Sequence, residues 1–171
     1  MSSILDMDLD YFNLMRHPGQ ELEKLLGWAG RSVDFVVHRH HHALVRWKAH
    51  VHRRALGSPT HILHLDEHHD MMDESRNSNL GNFIHQAMRT WPKCRVHWLV
   101  ENPIDSPGMW LSEEGWKLVA RRFTVGPQIP LGWPKPDLFS VCTSPEFVEE
   151  GLRQQLVNVV LQSMKQRNKS A

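Results

Sequence analysis

Short apolar runs alternate with amphipathic stretches along this chain, and several of the runs end in charged or imidazole side chains. Ile4–Phe12 alternates strictly, with Leu5, Met7 and Leu9 to one side and Asp6, Asp8 and Asp10 to the other, which predicts a strand. Pro18-Gly19 breaks it. Glu21–Trp28 then reads as a short helix with Leu22, Leu25 and Leu26 inward, ended near Gly27–Gly30. Val33–His42 predicts a second strand in which His38, His40 and His42 share one face and Arg39 and His41 the other. Ala43–Leu56 has helical spacing through Leu44, Trp47, Val51 and Ala55. After the turn signal Ser58-Pro59, Ile62, Leu63 and Leu65 make a buried strand that runs into Asp66, His68 and Asp70.

Downstream, Asp73–Asn79 is polar and reads as a loop over the strand ends, and Asn79 caps a helix reaching Trp91. Arg95–Val100 is a strand and Ser112–Arg122 a helix with Ser112 at its N-cap. Phe123–Pro136, with four prolines and two glycines, is an extended connection, and Asp137–Thr143 is the last strand. Ser144-Pro145-Glu146 opens the final helix by capping rules, with Val148, Leu152, Leu156 and Val159 as its buried stripe. Alternating strands and helices predict a single α/β domain over residues 1–164, three layers deep with a largely parallel sheet, followed by a basic, frayed tail at 165–171.

Composition narrows the classes. With 171 residues, 40% of them hydrophobic and 23% charged, the chain is of ordinary globular make-up. No apolar run is long enough to span a membrane, and a net charge of +1 gives no reason to invoke nucleic acid. The two cysteines, Cys94 and Cys142, stand far apart without a CxxC, which fits a reduced cytoplasmic protein and argues against thiolate zinc. Neither GxGxxG nor GxxxxGK[ST] is present. The excess is in histidine, 13 residues.

In a parallel sheet, ligands collect outside the carboxyl ends of the strands. Three strands here deliver DxDxD, HxHxH and DxHxD to that edge. Carboxylates and imidazoles without thiolates favour Mn²⁺ or Fe²⁺. The surplus over the three or four ligands that one ion needs predicts two ions, which would lower the pKa of a shared water.

The LDEHHD segment resembles the DxHxD metal motif of the arginase/deacetylase superfamily, and DMDLDYF resembles that superfamily's second aspartate motif. The DxD strand comes first here, whereas in arginases it follows DxHxD. With the histidine run and SPEF, the arrangement looks most like the peptide arginases, which convert arginine side chains of ribosomally made peptides to ornithine and urea. The resemblance implies an arginase-like fold with two Mn²⁺ ions and a metal-bridging hydroxide that attacks the guanidinium carbon. Asp66 would bridge both ions, His68 would bind one and Asp70 the other. Asp8 and Asp10 match the second ligand pair, Asp8 bridging; a slip of two residues would instead make it Asp6 and Asp8. His40 aligns as the histidine ligand, with His42 as the alternative. Glu146 reads either as a first-turn acid or as a carboxylate facing the guanidinium, and His69 or His85 could supply a proton to the leaving amine. The implied partner is an arginine-containing peptide, with or without a leader segment; a homo-oligomer is left open. The rival readings are a metal-dependent phosphohydrolase and a non-catalytic, metal-stabilised binding module.

Overall fold

A computed structural model describes residues 2–167, and they form a six-stranded, all-parallel sheet with helices on both faces. The strands are β1 (Ser2–Asp8), β2 (Phe35–Val37), β3 (Pro59–Leu65), β4 (Arg95–Leu99), β5 (Phe123–Gly126) and β6 (Leu138–Cys142), in the spatial order β2-β6-β1-β3-β4-β5. The helices are α1 (Pro18–Ala29), α2 (His41–Arg53), α3 (Phe83–Thr90), α4 (Glu113–Val119) and α5 (Glu150–Arg167).

Every described residue of β1 is buried, as a central strand covered on both faces requires. Its side chains split by parity. Ile4 joins Ile62, Val96, Trp47 of α2 and Phe83 of α3 in one core; Leu5 and Met7 join Leu63, Phe139, Leu22 of α1 and Leu156 of α5 in the other. Asp6 and Asp8 share Ile4's parity and therefore face the α2/α3 layer.

The elements end where local chemistry ends them. Pro18 sits in the first turn of α1, and Gly30 closes that helix in the left-handed region (φ 65°). Ser112 caps α4 by accepting from Gly115 N at 3.0 Å.

Five expectations change. The third helix starts at Phe83, with Asn82 and not Asn79 at its cap position, because Asn79 Oδ1 accepts from Gly81 N in a preceding turn. The first strand stops at Asp8, because Asp8 Oδ1 accepts from Asp10 N at 3.0 Å and winds Leu9–Phe12 into a 3-10 turn. The second strand is only Phe35–Val37, and the histidine run enters α2 instead of continuing the strand. Phe123–Gly126 is an edge strand, not a plain connection. Ser144-Pro145-Glu146 is a separate turn, in which Phe147 N and Val148 N both bond to Ser144 O, and α5 begins only at Glu150. That helix continues to Arg167, into the expected tail; residues 168–171 lie outside the described residues. Among the described residues no helix is long and apolar enough to cross a membrane.

Candidate metal centre

β1 and β3 are neighbours in the sheet, so the segments that follow them, Leu9–Phe12 and Asp66–Asp70, emerge side by side. The chain after Leu65 is not extended. It bends, with Asp70 in the left-handed region (φ 50°) that Asp tolerates better than most residues. This bend, rather than strand alternation, brings Asp66, His68 and Asp70 together. His40 arrives from the far side of β6, at the residue before α2.

His40 Nδ1 lies 2.9 Å from Asp66 Oδ2, 3.1 Å from Asp8 Oδ2 and 3.3 Å from Asp70 Oδ2. One ring nitrogen can donate to only one of these three oxygens. The other oxygen of Asp66 faces a second group: His68 Nδ1 lies 3.5 Å from Asp66 Oδ1 and 3.4 Å from Asp10 Oδ2. Two donor sets thus share Asp66, one of His40, Asp66 and Asp70, the other of Asp10, Asp66 and His68, and Asp8 adjoins the first through His40, beside the Cys142 thiol.

Behind them lies a buried polar row that follows the strand register. Asp6 is paired with His64 on β3 and Ser140 on β6. Asp6 Oδ2 takes a hydrogen bond from His64 Nδ1 at 2.9 Å, and Asp6 Oδ1 takes one from Ser140 Oγ at 2.8 Å. Ser140 in turn accepts from Trp47 Nε1 at 2.9 Å. His64 Nε2 faces the His68 carbonyl at 3.1 Å, so both of its nitrogens face acceptors. A doubly protonated ring satisfies both. Burial would lower the His64 pKa, but the Asp6 hydrogen bond and the Asp66 and Asp6 charges raise it.

The charges do not balance. Asp6, Asp8, Asp10, Asp66 and Asp70 are all buried. Among the described residues no Lys or Arg forms an ion pair with any of them, and His40, His64 and His68 offer at most three positive charges against five negative. Buried charge without a partner is costly, and the group takes up a proton instead. Burial and the charges of Asp66 and Asp8 push Asp10 up to about 8, and burial and Asp66 push Asp70 up to about 7. One raised carboxylate stands in each donor set. A divalent cation in each set would replace that proton, so the residues fit two hard cations held by oxygen and imidazole.

A cleft of about 270 Å³ opens above the two sets, lined by Asp8, Asp10, Asp66, Asp70, His40 and His68. Met72, Leu80, Gly81, Ser144 and Phe147 complete its walls, with no Lys or Arg among them. Ser144 Oγ donates to Asp8 Oδ2, which fixes that carboxylate from the β6 side.

Of the residues expected at the site, Asp8, Asp10, Asp66, Asp70, His40 and His68 converge. Asp6 lies behind His40, its Oδ2 2.9 Å from Nε2, and touches the cleft nowhere. His42 is not brought in: it is helical and exposed, about 200° around α2 from His40. Glu146 points out of the cleft to Arg39 Nη2 at 2.9 Å, because the Ser144 turn directs Phe147 inward in its place. His85 is buried on α3, but Phe83 of that helix faces His40 with ring centroids 4.4 Å apart, and His85 is turned toward the Asp73–Glu74 loop. His69 also faces away. Its Nδ1 accepts from Met71 N at 2.9 Å, its Nε2 lies 3.2 Å from Asp105 Oδ1, and its ring meets Trp98 edge-on. Burial brings its pKa down to about 4, so it is neutral near pH 7.

Sequence reasoning missed His64, although its parity on β3 matches Asp66 and could have flagged it. It also missed Trp98, whose Nε1 donates to the Asp66 carbonyl at 2.9 Å and anchors the bend. No family model, curated protein or solved structure matches this chain.

Proposed function

We propose that the chain is a dinuclear-metal hydrolase of arginase-like type, acting on the guanidinium of a peptide-borne arginine to give ornithine and urea. The observation that carries this reading is the pair of donor sets sharing the two oxygens of Asp66, at the floor of a cleft that has carboxylates and imidazoles and no Lys or Arg. Asp8, His40, Asp66 and Asp70 would hold one ion and Asp10, Asp66 and His68 the other, with Mn²⁺ the expected metal. When bound, such ions supply a hydroxide-like nucleophile at neutral pH.

The protein's own part is positioning. The cleft walls Met72, Leu80 and Phe147 are apolar and match the methylene arm of an arginine, and no Lys or Arg in the lining repels its cationic end. Attack on the guanidinium carbon turns a planar cation into a tetrahedral centre whose leaving amine needs a proton. Neither His69 nor His85 lines the cleft, so the expected shuttle role passes to neither. A phosphate ester finds no Lys or Arg in the cleft, which favours a cationic substrate over the phosphohydrolase reading.

The test is mass spectrometry of an arginine-containing peptide incubated with manganese-loaded protein, beside free arginine. Loss of one CN2H2 unit per arginine, abolished by chelator and by Asp66→Ala, is the expected result. Loss from free arginine alone makes the protein a small-molecule ureohydrolase, and no loss from either overturns the reading.

A further inference from the structure

Asp10 lines two cavities. It closes one end of the metal-centre cleft and also borders a second groove of about 260 Å³ beside it. That groove runs between the turn after β1 and the segment after β4, lined by Tyr11, Leu14, Glu67, Glu101 and Ile104. It continues past Tyr11, Leu14 and Glu101 into a third hollow, and only there do basic side chains, Arg16 and His17, join the lining.

Two features mark this groove as a place for a ligand. Leu14 is 90% exposed and Ile104 82% exposed, large aliphatic side chains left in water at its rim. Beside them Glu67 and Glu101 gather with no Lys or Arg in the stretch next to the centre, and among the described residues neither glutamate forms an ion pair. Glu146, outside both hollows, is already paired with Arg39. The acidic, apolar side is therefore the side with charge to offer.

We infer that this groove holds the stretch of the peptide substrate adjoining the reacting arginine, and that it selects a basic residue next to that arginine with an aliphatic residue beyond it. The inference rests on the peptide reading above and deepens it. Glu67 and Glu101 meet the basic residue, and Leu14 and Ile104 cover the aliphatic one. The centre takes the reacting arginine and the groove attracts a second cation through Glu67 and Glu101, so the preferred substrate carries adjacent positive charges.

The experiment uses two fluorescent peptides that differ only in a lysine or a glutamate beside the single arginine. Each is added to manganese-loaded protein and followed by anisotropy at mixing, then by mass-spectrometric turnover. At low salt the lysine peptide is expected to bind about tenfold more tightly, since exchanging a favourable for an unfavourable contact counts twice. Glu101→Lys should abolish or invert the preference, and Leu14→Ser should weaken both peptides; both side chains are exposed, so both variants should keep the wild-type circular dichroism. Equal binding of the two peptides, or a preference unchanged in Glu101→Lys, overturns the inference. So does concentration-dependent dimerisation removed by Leu14→Ser without any peptide preference, which would assign the groove to a second copy of the chain. The two readings fail separately. A charge preference lost in Glu101→Lys without ornithine formation leaves the groove standing and removes the hydrolase; ornithine without a preference does the reverse.

Discussion

Asp6 Oδ2 lies 2.9 Å from His40 Nε2, on the side of the imidazole away from the three carboxylates that crowd Nδ1. For Nδ1 to bind a cation it must give up its proton, so the remaining proton sits on Nε2, which is buried without a hydrogen-bond partner of good geometry and has the Asp6 carboxylate as its nearest counter-charge. Asp6 is itself held from both neighbouring strands, by His64 and Ser140. Asp6→Asn should therefore lower metal affinity about 10- to 100-fold while leaving the number of ions per chain unchanged. Isothermal titration with Mn²⁺ reads both quantities; a lost ion would make Asp6 a ligand instead.

Asp66 should behave differently because its two oxygens serve both donor sets. Asp66→Ala is expected to leave neither ion stably bound, whereas Asp10→Ala should cost only the ion shared with His68. Metal analysis after gel filtration distinguishes them. Equal loss in the two variants would argue against Asp66 as the shared carboxylate.

Much of this site was legible as sequence because hard ligands follow apolar runs. Ile62–Leu65 ending in Asp66, His68 and Asp70, and the alternation ending in Asp8 and Asp10, placed both segments at one sheet edge. What alternation could not show was the geometry beyond the strand ends. Asp10 and Asp70 reach the centre through a 3-10 turn and a left-handed bend, set by local hydrogen bonds such as Asp8 Oδ1 to Asp10 N. The histidine run reads as a longer strand because His41 and His42 carry no strong helix signal, and the start of α2 is fixed by the packing of Ala43, Leu44 and Trp47. His64 and Asp105 depend on contacts across 58 and 36 positions of chain, to Asp6 and His69 respectively, which no local pattern encodes.

Without metal, stability should fall as pH rises, and the gain from metal should grow over the same range. In the folded chain Asp10 is pushed up to about 8 and Asp70 to about 7, from 3.8, chiefly by burial. Hydrogen bonds to Asp10 and Asp66 push His68 up to about 11, from 6.5. All three hold protons more tightly folded than unfolded. Their stabilisation is complete below the unfolded values and is lost as pH rises through the folded ones. The metal-free protein should thus show a falling Tm from about pH 6 to about pH 9. Cations compete with those same protons, so the rise in Tm on adding Mn²⁺ should grow over that range. Thermal melts at several pH values, with chelator and with Mn²⁺, test this; a manganese effect that shrinks with pH would count against it.

His85 is buried, and its pKa is lowered chiefly by that burial and by the nearby Arg89, far from the groups that define the centre. It packs under the Asp73–Glu74 loop, on the side of α3 away from the Phe83 ring that meets His40. Its contribution is then to stability and not to chemistry. His85→Ala should cost about 1–3 kcal/mol in urea unfolding, the usual range for opening a small buried space, while turnover per folded molecule changes less than about twofold, about 0.4 kcal/mol in barrier. Loss of turnover with unfolding stability intact would instead return His85 to the cleft as a proton donor.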